Sequence, residues 1–439
     1  MIRLPNTRRP RVARRGALAR IASLAVPALL LPYAGPSAAV SAVAAAPRVT
    51  ITVATFPDLD RAAKAALPRW NALHPDIEVK LLSLQYPDHH TAMTTALATG
   101  SGLPDVMAID FRYIGKFAEG GGLEDLRQAP YDAATLAPRF VPYSVAQATS
   151  STGALAAMPA DIGPGTLLYR KDLLEKAGLA EADLTRSWES FIAAGKVLKA
   201  KTGAYLLADS GDIRDIVLRT GLAPGEGLYF DAKGRVLVDS PRFVRAFELG
   251  RAARLAGLDA RATAWNNDWV AGFRQDRIAT QMMGAWLAGH LKNWLAPATS
   301  GKWRSAMLPG GAYGSYGGSF YAIPRKAAHK AEAWRFIQFL TVDRQSQVDA
   351  LRTLDSFPAL LAAQDDPLFD EPIAFLGGQK ARLMWRDIAR HVPPVPVNRL
   401  DAMATDVVRA EYENVVSSGK DIPAALADAK ALIERRMRH

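Results

Sequence analysis

Strand-like and helix-like segments alternate at the start of the chain, and this alternation restricts the fold more than any other feature. Segments rich in β-branched residues, at 49–56 and 76–84, predict two strands, and the apolar run at 106–109 predicts a third. Residues 60–74, between the first two strands, follow a helical pattern, although Pro68 is expected to kink or split that helix. Strands that alternate with helices predict parallel pairing with right-handed crossovers.

A second series of elements begins near Met158. A strand is predicted at 166–170, and Ser187 is suited to cap the helix that follows it. The helical spacing of apolar residues returns near the end of the chain, at 333–340 and at 422–437. Because 439 residues are enough for more than one core, these elements together predict an α/β protein of two lobes.

Residues 1–44 have the three parts of a secretory signal peptide. A stretch with seven arginines precedes the apolar run at 21–31, and a tract of small residues follows at 37–46. Cleavage is expected near Ala44, since the alternative A-x-A site puts Pro47 just after the cut. An uncleaved membrane anchor is the other interpretation, but the short apolar run is interrupted by proline and does not reach the length of a membrane span.

The positive charge of the chain belongs mostly to this leader. The formal net charge is +11, and removal of the seven leader arginines lowers it to +4. The remaining balance is ordinary for a globular protein and gives no support to nucleic-acid binding. We therefore expect an exported protein that works outside the cytoplasmic membrane, in the periplasm.

The chain contains no cysteine, which excludes disulfides, thiolate metal sites, cysteine nucleophiles and a lipid anchor on an N-terminal cysteine. The adjacent His89 and His90 cannot supply a metal site without distant partners, because neighbouring side chains diverge, and we expect them in a solvated loop. No glycine motif for phosphate binding is present. We predict no cofactor, no metal and no catalytic residue.

Four stretches occur in the order found in one protein family. They are GLPDVMAID with FAEGGGLEDL, MPADIGPGTLLYRKDLLEKAGL with SWESF, FRQDRIATQMMGAW, and LPGGAYGSYGGSFYAIPRKAAHKAEAWRFIQFLT. In this ordered set the chain resembles the extracellular solute-binding proteins that supply ABC importers, the class that includes maltose-binding protein. The resemblance extends over nearly all of residues 48–439.

The resemblance implies an α/β protein with the type II periplasmic-binding-protein fold, in which two lobes joined by two or three crossovers enclose a ligand cleft. The N-terminal lobe is expected to comprise residues 48–157 and 314–350, and the C-terminal lobe residues 158–313 and 351–439. The resemblance also implies a monomer that is not an enzyme. Such a protein binds a sugar or oligosaccharide and delivers it to the transmembrane subunits of an ABC permease.

The first candidate site residues follow the third predicted strand. Ligands of parallel α/β sheets lie beyond the carboxyl ends of the strands, a rule that selects Asp110 and Phe111. Asp110 is able to accept hydrogen bonds from adjacent sugar hydroxyls or, alternatively, to cap the following helix, and Phe111 either contacts ligand or packs. Asp161 and Asp268 complete the acidic candidates for the predicted pocket.

Residues 264–273 place two tryptophans beside amide and carboxylate side chains. Carbohydrates have apolar C–H faces and a polar edge, so flat aromatic rings next to such groups suit them. Trp265, Asn267 and Asp268 are therefore candidate contacts, the alternative being a surface loop whose tryptophans pack onto the lobe. The resemblance places Trp286 where relatives often present a ring to the sugar; a core tryptophan is the alternative.

Two glycine pairs, at 310–311 and 317–318, precede a regular strand and helix. Glycine lets the backbone approach a ligand closely and supplies positive φ at a crossover. The resemblance places the second pair at the border of the pocket, whereas a flexible hairpin tip is the alternative. The candidate contacts in this segment are Gly317, Gly318, Ser319 and Tyr321. Hinges are expected at 157–165 and 309–314, where glycine and proline concentrate.

Two further classes of function remain open. The first is a protein of the same fold with a different ligand, such as a polyamine, an iron chelate or a phosphodiester. A ferric ligand favours converging tyrosines, for which Tyr313, Tyr316 and Tyr321 are the candidates. The second is an exported glycan-cleaving enzyme, which needs two carboxylates that flank the scissile bond. Asp110 and Asp268 are the candidates for that pair.

Overall fold

The structure, a computed structural model, describes residues 48–438. The predicted signal peptide over residues 1–44 and its cleavage near Ala44 lie outside the described residues. Within this part of the chain, no helix combines the length and the apolar character that crossing a membrane requires.

Seven strands are present in the described residues. They are β1 Val49–Thr55, β2 Ile77–Ser83, β3 Val106–Asp110, β4 Met158–Arg170, β5 Thr280–Gly284, β6 Trp303–Ala306 and β7 Ser315–Ala322. The first three confirm the strands predicted near the start of the chain. The Gly317–Gly318 pair lies inside β7, where it is hydrogen-bonded to β4, so the interpretation of this pair as a hairpin tip is wrong.

Helices connect these strands. They are α1 Leu59–Leu73, α2 Tyr86–Thr99, α3 Ile114–Glu119, α4 Pro142–Gln147, α5 Lys171–Ala177, α6 Glu181–Thr185, α7 Trp188–Thr202, α8 Gly211–Val217, α9 Pro241–Leu255, α10 Asn267–Arg274, α11 Leu287–His290, α12 Lys330–Thr341, α13 Arg344–Leu354, α14 Ala381–His391, α15 Asp401–Ser418 and α16 Ile422–Met437. A π-helical turn, Leu291–Leu295, continues α11. Ser187 caps α7 as predicted, because its hydroxyl accepts from the amide of Ser190 at 3.1 Å.

The strands form one open sheet in the order β2-β1-β3-β7-β4-β5, with β6 paired to β4. β1 pairs in parallel with β2 and with β3, as the alternating pattern predicts. The pairs β3–β7, β4–β7, β4–β5 and β4–β6 are antiparallel. Parallel pairing is thus confirmed for the first three strands, to which the prediction applied, whereas the pairs formed by β4 to β7 are antiparallel.

Strand β4 is shared by the two halves of the sheet. Its residues 158–164 pair with β7, with two shifts of register, and its residues 165–170 pair with β5 and β6. Such shifts bend a strand and increase its twist. The sequence predicts a strand only at 166–170, whereas β4 begins at Met158 and contains Pro159 and Pro164, which are unusual in a strand interior.

Two hydrophobic clusters form the interior of the described residues. The first surrounds β1, β3 and β7, includes Trp70 and Phe336, and continues through Trp269 and Trp303. The second lies among α7, α9, α15 and α16, with Tyr412 fully buried in it. Each half of the shared sheet therefore packs against helices, as an α/β architecture requires.

Two local predictions are wrong. Helix α1 is continuous and is not split by Pro68, because the helix is anchored on both sides of the proline by the buried Ala63 and Trp70. His89 and His90 are buried inside α2 instead of lying in a solvated loop. Both rings find backbone partners at 2.8 Å, the carbonyls of Ala108 and Tyr86, and this makes their burial possible.

Candidate ligand-binding site

Three predicted site residues lie side by side across the middle of the sheet. Strand β7 lies between β3 and β4, and its Ser319 is in register with Asp110 of β3 and with Asp161 of β4. The amide of Phe111 donates to the carbonyl of Gly318 at 2.9 Å. The residues predicted at the end of β3 and in the glycine-rich segment are therefore neighbours in the fold.

Asp110 directs one carboxylate oxygen to the protein. Its Oδ1 accepts from the Tyr86 hydroxyl at 2.5 Å and from the backbone amide of Arg112 at 2.9 Å, with Nε of Arg112 at 3.4 Å. Among residues 48–438, no hydrogen bond reaches Oδ2. Burial raises the pKa of Asp110, and the positive charge of Arg112 opposes this rise. Asp110 does not cap α3, whose N-cap residue is Tyr113.

His90 supports the backbone behind Asp110. Its Nδ1 hydrogen-bonds to the Tyr86 carbonyl at 2.8 Å, and its Nε2 accepts from the Asp110 amide at 3.2 Å. Both bonds together require a neutral ring with its proton on Nδ1. Burial lowers the pKa of His90 to about 3, so the ring is neutral near pH 7.

Asp161 is half-buried next to Ser319. Its Oδ2 accepts from the Ser356 hydroxyl at 3.0 Å. Burial raises the pKa of Asp161, hydrogen bonds from Ser356 and Ser319 lower it, and repulsion by the charge of Asp110 raises it further. The two carboxylates belong to strands on opposite sides of β7, with Ser319 in register with both.

The indole of Trp286 is held against three glycines. Its Nε1 donates to the carbonyl of Tyr316 at 2.8 Å. A Cβ atom on Gly163, Gly284 or Gly317 would lie only 3.0, 2.2 or 2.4 Å from this nitrogen. The absence of side chains at these positions thus makes room for the ring that the sequence predicts as a stacking platform.

The glycine pair of β7 also has an unusual backbone conformation, with φ of 110° at Gly317 and 130° at Gly318. Side chains other than glycine rarely adopt these angles. Tyr321, predicted as a contact in the same strand, is only 2% exposed. Its pKa is raised by burial and by the charge of Asp161, so the ring lies in the core close to the site.

The loop before α10 brings Trp265 against Trp286. The two rings are nearly parallel, with 18° between their planes and 6.0 Å between their centroids. Asn266 caps α10 by accepting from the Trp269 amide at 2.8 Å. The next two residues, Asn267 and Asp268, are exposed and make no side-chain hydrogen bond within residues 48–438. Of the predicted contacts in this loop, only Trp265 is therefore brought against another predicted site residue.

Sequence reasoning missed several residues at the site. The guanidinium of Arg219 lies 5.6 Å from the ring centroid of Phe111 and 4.7 Å from that of Tyr316. Burial and the charge of Asp215 raise the pKa of Tyr316 to about 12. The sequence points to Tyr316 only as one of three tyrosines for a ferric ligand, and its place directly before the glycine pair is the feature that indicates it. Tyr86 and Arg112 have no such feature, because folding alone brings them to Asp110.

Residues 54–347, more than half of the chain, match the family profile of bacterial extracellular solute-binding proteins. The chain belongs to this family. The lactose-binding protein of Rhizobium radiobacter is 26% identical to this solute-binding protein over 363 residues, which are 78% of this chain and 83% of the relative. The resemblance that the ordered sequence stretches indicate is thereby confirmed.

Solved structures share the fold of this solute-binding protein. The crystal structure of an extracellular solute-binding protein of family 1 matches it with a TM-score of 0.77 and 27% identity, covering 88% of this chain and 99% of the other. An ABC transporter-associated binding protein of B. animalis subsp. lactis Bl-04, in complex with β-1,6-galactobiose, matches with a TM-score of 0.73 and 24% identity, covering 88% and 97%. The two-lobe periplasmic-binding-protein fold is thus confirmed.

The family consists of binding proteins. In residues 48–438, no group of three or more histidine, aspartate or glutamate side chains is arranged to hold a metal ion. The candidate site brings together two carboxylates, an arginine and a hydroxyl in one region of the sheet. Trp286 follows strand β5, and Trp265 lies in the loop before α10.

Proposed function

We propose that this solute-binding protein captures a sugar or oligosaccharide and delivers it to the transmembrane subunits of an ABC permease, without making or breaking a bond. The main support is strand β7, which joins two kinds of surface. Its Ser319 lies between Asp110 and Asp161, and two residues earlier its Gly317 adjoins Trp286. Sugars offer hydroxyls for the first surface and an apolar ring face for the second.

A neutral polyhydroxy ligand suits these charges better than a polyamine. Asp110 already has Arg112 as its counter-charge, and Asp161 accepts from serine hydroxyls. An ammonium group would therefore meet carboxylates that have partners. A sugar hydroxyl is able to donate to Oδ2 of Asp110 while a neighbouring hydroxyl accepts from Arg112, so a carboxylate–guanidinium pair matches two adjacent hydroxyls.

Neither a ferric ligand nor a glycan-cleaving activity finds comparable support. A ferric ligand favours converging tyrosines, but Tyr313 stacks on His391 with 4.8 Å between centroids, and Tyr321 is in the core. A glycan-cleaving enzyme needs two carboxylates that flank the scissile bond. Asp268, the predicted partner of Asp110 in such a pair, is exposed at the start of α10 and has no hydrogen-bond partner in residues 48–438.

The proposal keeps the predicted lobes. They are residues 48–157 with 314–350, and residues 158–313 with 351–439. Hinges at 157–165 and 309–314 are supported by the register shifts of β4 and by positive φ at Gly310 and Gly311. We also propose export to the periplasm with cleavage near Ala44, and a monomer that binds no nucleic acid, in keeping with the modest charge that remains after the leader.

Isothermal titration calorimetry of the purified protein tests the ligand class. The panel comprises lactose, β-1,6-galactobiose, arabino-oligosaccharides, spermidine and ferric citrate. We expect heat of binding with a saccharide, and weaker binding in Asp110→Asn. The matched control is Asp370→Asn, which changes a carboxylate that is 72% exposed. Binding of spermidine or ferric citrate alone contradicts the sugar assignment, and cleavage products on chromatography contradict a binding protein without catalysis.

A further inference from the structure

Three indoles form a continuous row that starts at the site, and we name Trp286, Trp265 and Trp294 the tryptophan row. The planes of Trp286 and Trp265 differ by 18°, with 6.0 Å between centroids. Those of Trp265 and Trp294 differ by 28°, with 6.4 Å between centroids. The row begins at β7, where Trp286 donates to the Tyr316 carbonyl at 2.8 Å, and extends away from it.

The outer part of the row is open to solvent. Trp265 is 52% exposed and Trp294 is 36% exposed. Seven large hydrophobic side chains are exposed within residues 48–438, and Trp265 and Trp294 are the two aromatic ones among them. These two rings are also neighbours. Isolated exposed apolar residues need no explanation, but adjacent exposed indoles that continue from a binding site indicate a recognition surface.

The backbone beneath the row is unusual at both exposed residues. Trp265 has φ of 76°, in the left-handed region that bulky residues rarely occupy. Trp294 belongs to the π-helical turn Leu291–Leu295, and such turns are rare and frequent at functional sites. Unusual backbone of this kind persists where the surrounding structure over-determines it, and it is found here at both exposed residues of the row.

His290 holds the row together. Its Nδ1 accepts from Nε1 of Trp294 at 2.8 Å, and its ring meets Trp265 and Trp286 edge to face, with centroids 5.6 and 5.3 Å away. Burial and the charge of Arg61 lower the pKa of His290 to about 4, which keeps Nδ1 available as an acceptor at neutral pH. Its Nε2 lies 3.6 Å from a carboxylate oxygen of Asp58, so a charged group lies close to the row as well.

We infer that Trp265 and Trp294 form an outer subsite for the second and later units of a saccharide, so that the ligand is an oligosaccharide rather than a monosaccharide. A single pyranose placed at Asp110, Ser319 and Trp286 leaves the exposed indoles unused. A longer chain covers them with its apolar faces and meets the polar groups of Asp58 and Arg61. This inference rests on the proposed function.

The test compares saccharides by length in one calorimetric series. The probes are galactose, lactose and a galactotriose, and in parallel arabinose, arabinobiose and arabinotriose. We expect the wild-type affinity to rise with length, and Trp294→Ala to weaken binding of the longer probes about tenfold while that of the monosaccharide changes less than about twofold. Trp294→Phe is expected to retain most of the length dependence. Leu255→Ala, which removes an apolar side chain that is 79% exposed, is the matched control.

The outcomes separate the two claims. Wild-type protein that binds no saccharide at all overturns the proposed function and this inference with it. Wild-type protein that binds monosaccharides as tightly as longer probes, or equal weakening of all lengths by Trp294→Ala, overturns the outer subsite alone. Circular dichroism confirms folding of each variant, and Trp265→Ala supplies a second test if Trp294→Ala does not fold.

Discussion

At the scale of single residues, the two oxygens of Asp110 have different surroundings. Oδ1 is fixed by Tyr86 and Arg112, whereas Oδ2 has no partner in the described residues. This arrangement orients the carboxylate before a ligand arrives, because the donors to Oδ1 restrict rotation of the side chain. An acceptor that is already oriented loses less entropy when it binds.

Removing the Tyr86 hydroxyl tests this orientation. We expect Tyr86→Phe to weaken saccharide binding by about fivefold, the effect of one hydrogen bond of ~1 kcal/mol. Asp110→Asn is expected to weaken binding more, and the double variant no further, because Tyr86 acts through Asp110. Calorimetry on the four proteins measures the cycle. Tyr169→Phe is the matched control, because it removes a hydroxyl that donates to Glu181 at 2.7 Å in another part of the protein. If the losses of the two single variants add up in the double variant, Tyr86 does not act through Asp110.

The substitution Gly317→Ala tests whether the absence of a side chain at this position is needed to accommodate the indole of Trp286. Gly317→Ala places a Cβ 2.4 Å from the indole Nε1 at φ of 110°, whereas Gly301→Ala has φ of 83° and no atom within 4 Å. Both variants contain backbone strain on the order of 1–3 kcal/mol, but only the first adds an overlap of about 1–3 kcal/mol. Urea unfolding is expected to show the larger loss for Gly317→Ala. Equal losses contradict a role for the indole.

At this scale, the end of a strand predicts Asp110 as a ligand contact, and the resemblance predicts Trp286 and the glycine pair. The structure places Asp110 beside the strand that carries the glycine pair, and their contact with a ligand stays a prediction. The Tyr86–Asp110 hydrogen bond joins residues 24 positions apart, and no local pattern encodes it. The sequence predicts a solvated loop for His89 and His90, whereas both rings are buried and hydrogen-bond to backbone carbonyls.

At the scale of elements, His90 of helix α2 makes the stability of the folded protein depend on pH. His90 has a pKa of about 3 in the folded protein, lowered by burial from an ordinary value of 6.5. The folded state therefore binds this proton less readily than the unfolded chain. The stabilising contribution of neutral His90 is complete above pH 6.5 and is lost as the pH falls towards 3.

His90→Gln is expected to reduce this loss, because glutamine offers a donor and an acceptor but does not titrate. Between pH 6.5 and pH 4, the unfolding free energy should fall more steeply in wild type than in the variant. The difference in slope is up to about 1.4 kcal/mol per pH unit. Urea titrations at pH 7 and pH 4.5 measure the difference. Asp401, whose pKa burial raises to about 7, contributes with the opposite sign but equally in both proteins. Parallel pH curves contradict the assignment.

The elements themselves were predictable where contacts are local. The alternating pattern predicted β1, β2 and β3 and their parallel pairing, and a serine marked the start of α7. The direction of β7 and the length of β4 were not predictable, because both depend on pairing between residues 158–164 and a strand that is distant in sequence. Such non-local pairing also explains why Pro159 and Pro164 lie inside a strand, although proline is locally unfavourable there.

At the scale of the whole molecule, contacts between the proposed lobes limit their approach. A Cβ on Gly115 of α3 would lie 2.6 Å from the carbonyl oxygen of Asn398. These two residues belong to different lobes in the proposed division. The absence of a side chain at Gly115 thus permits the close approach of α3 to the segment that precedes α15.

Gly115→Ala is therefore expected to disfavour the closed form. An overlap of this size costs about 1–3 kcal/mol, so saccharide affinity should fall at least about fivefold. The unfolding free energy without ligand should change little, because the lobes can separate to relieve the overlap. Calorimetry and urea unfolding measure the two quantities. Gly122→Ala, which approaches Leu97 inside one proposed lobe, is the control, and a loss of stability without a loss of affinity contradicts the prediction.

The strand order also has a consequence for how the protein is made. Strand β7, Ser315–Ala322, fills the place between β3 and β4, so the centre of the sheet stays incomplete until β7 has left the ribosome. Until then the nascent chain exposes an unpaired edge of β3 and an unpaired edge of β4, and such edges promote aggregation. The order of the strands thus delays completion of the sheet until β7 has been synthesised, and until then β3 and β4 lack their common neighbour.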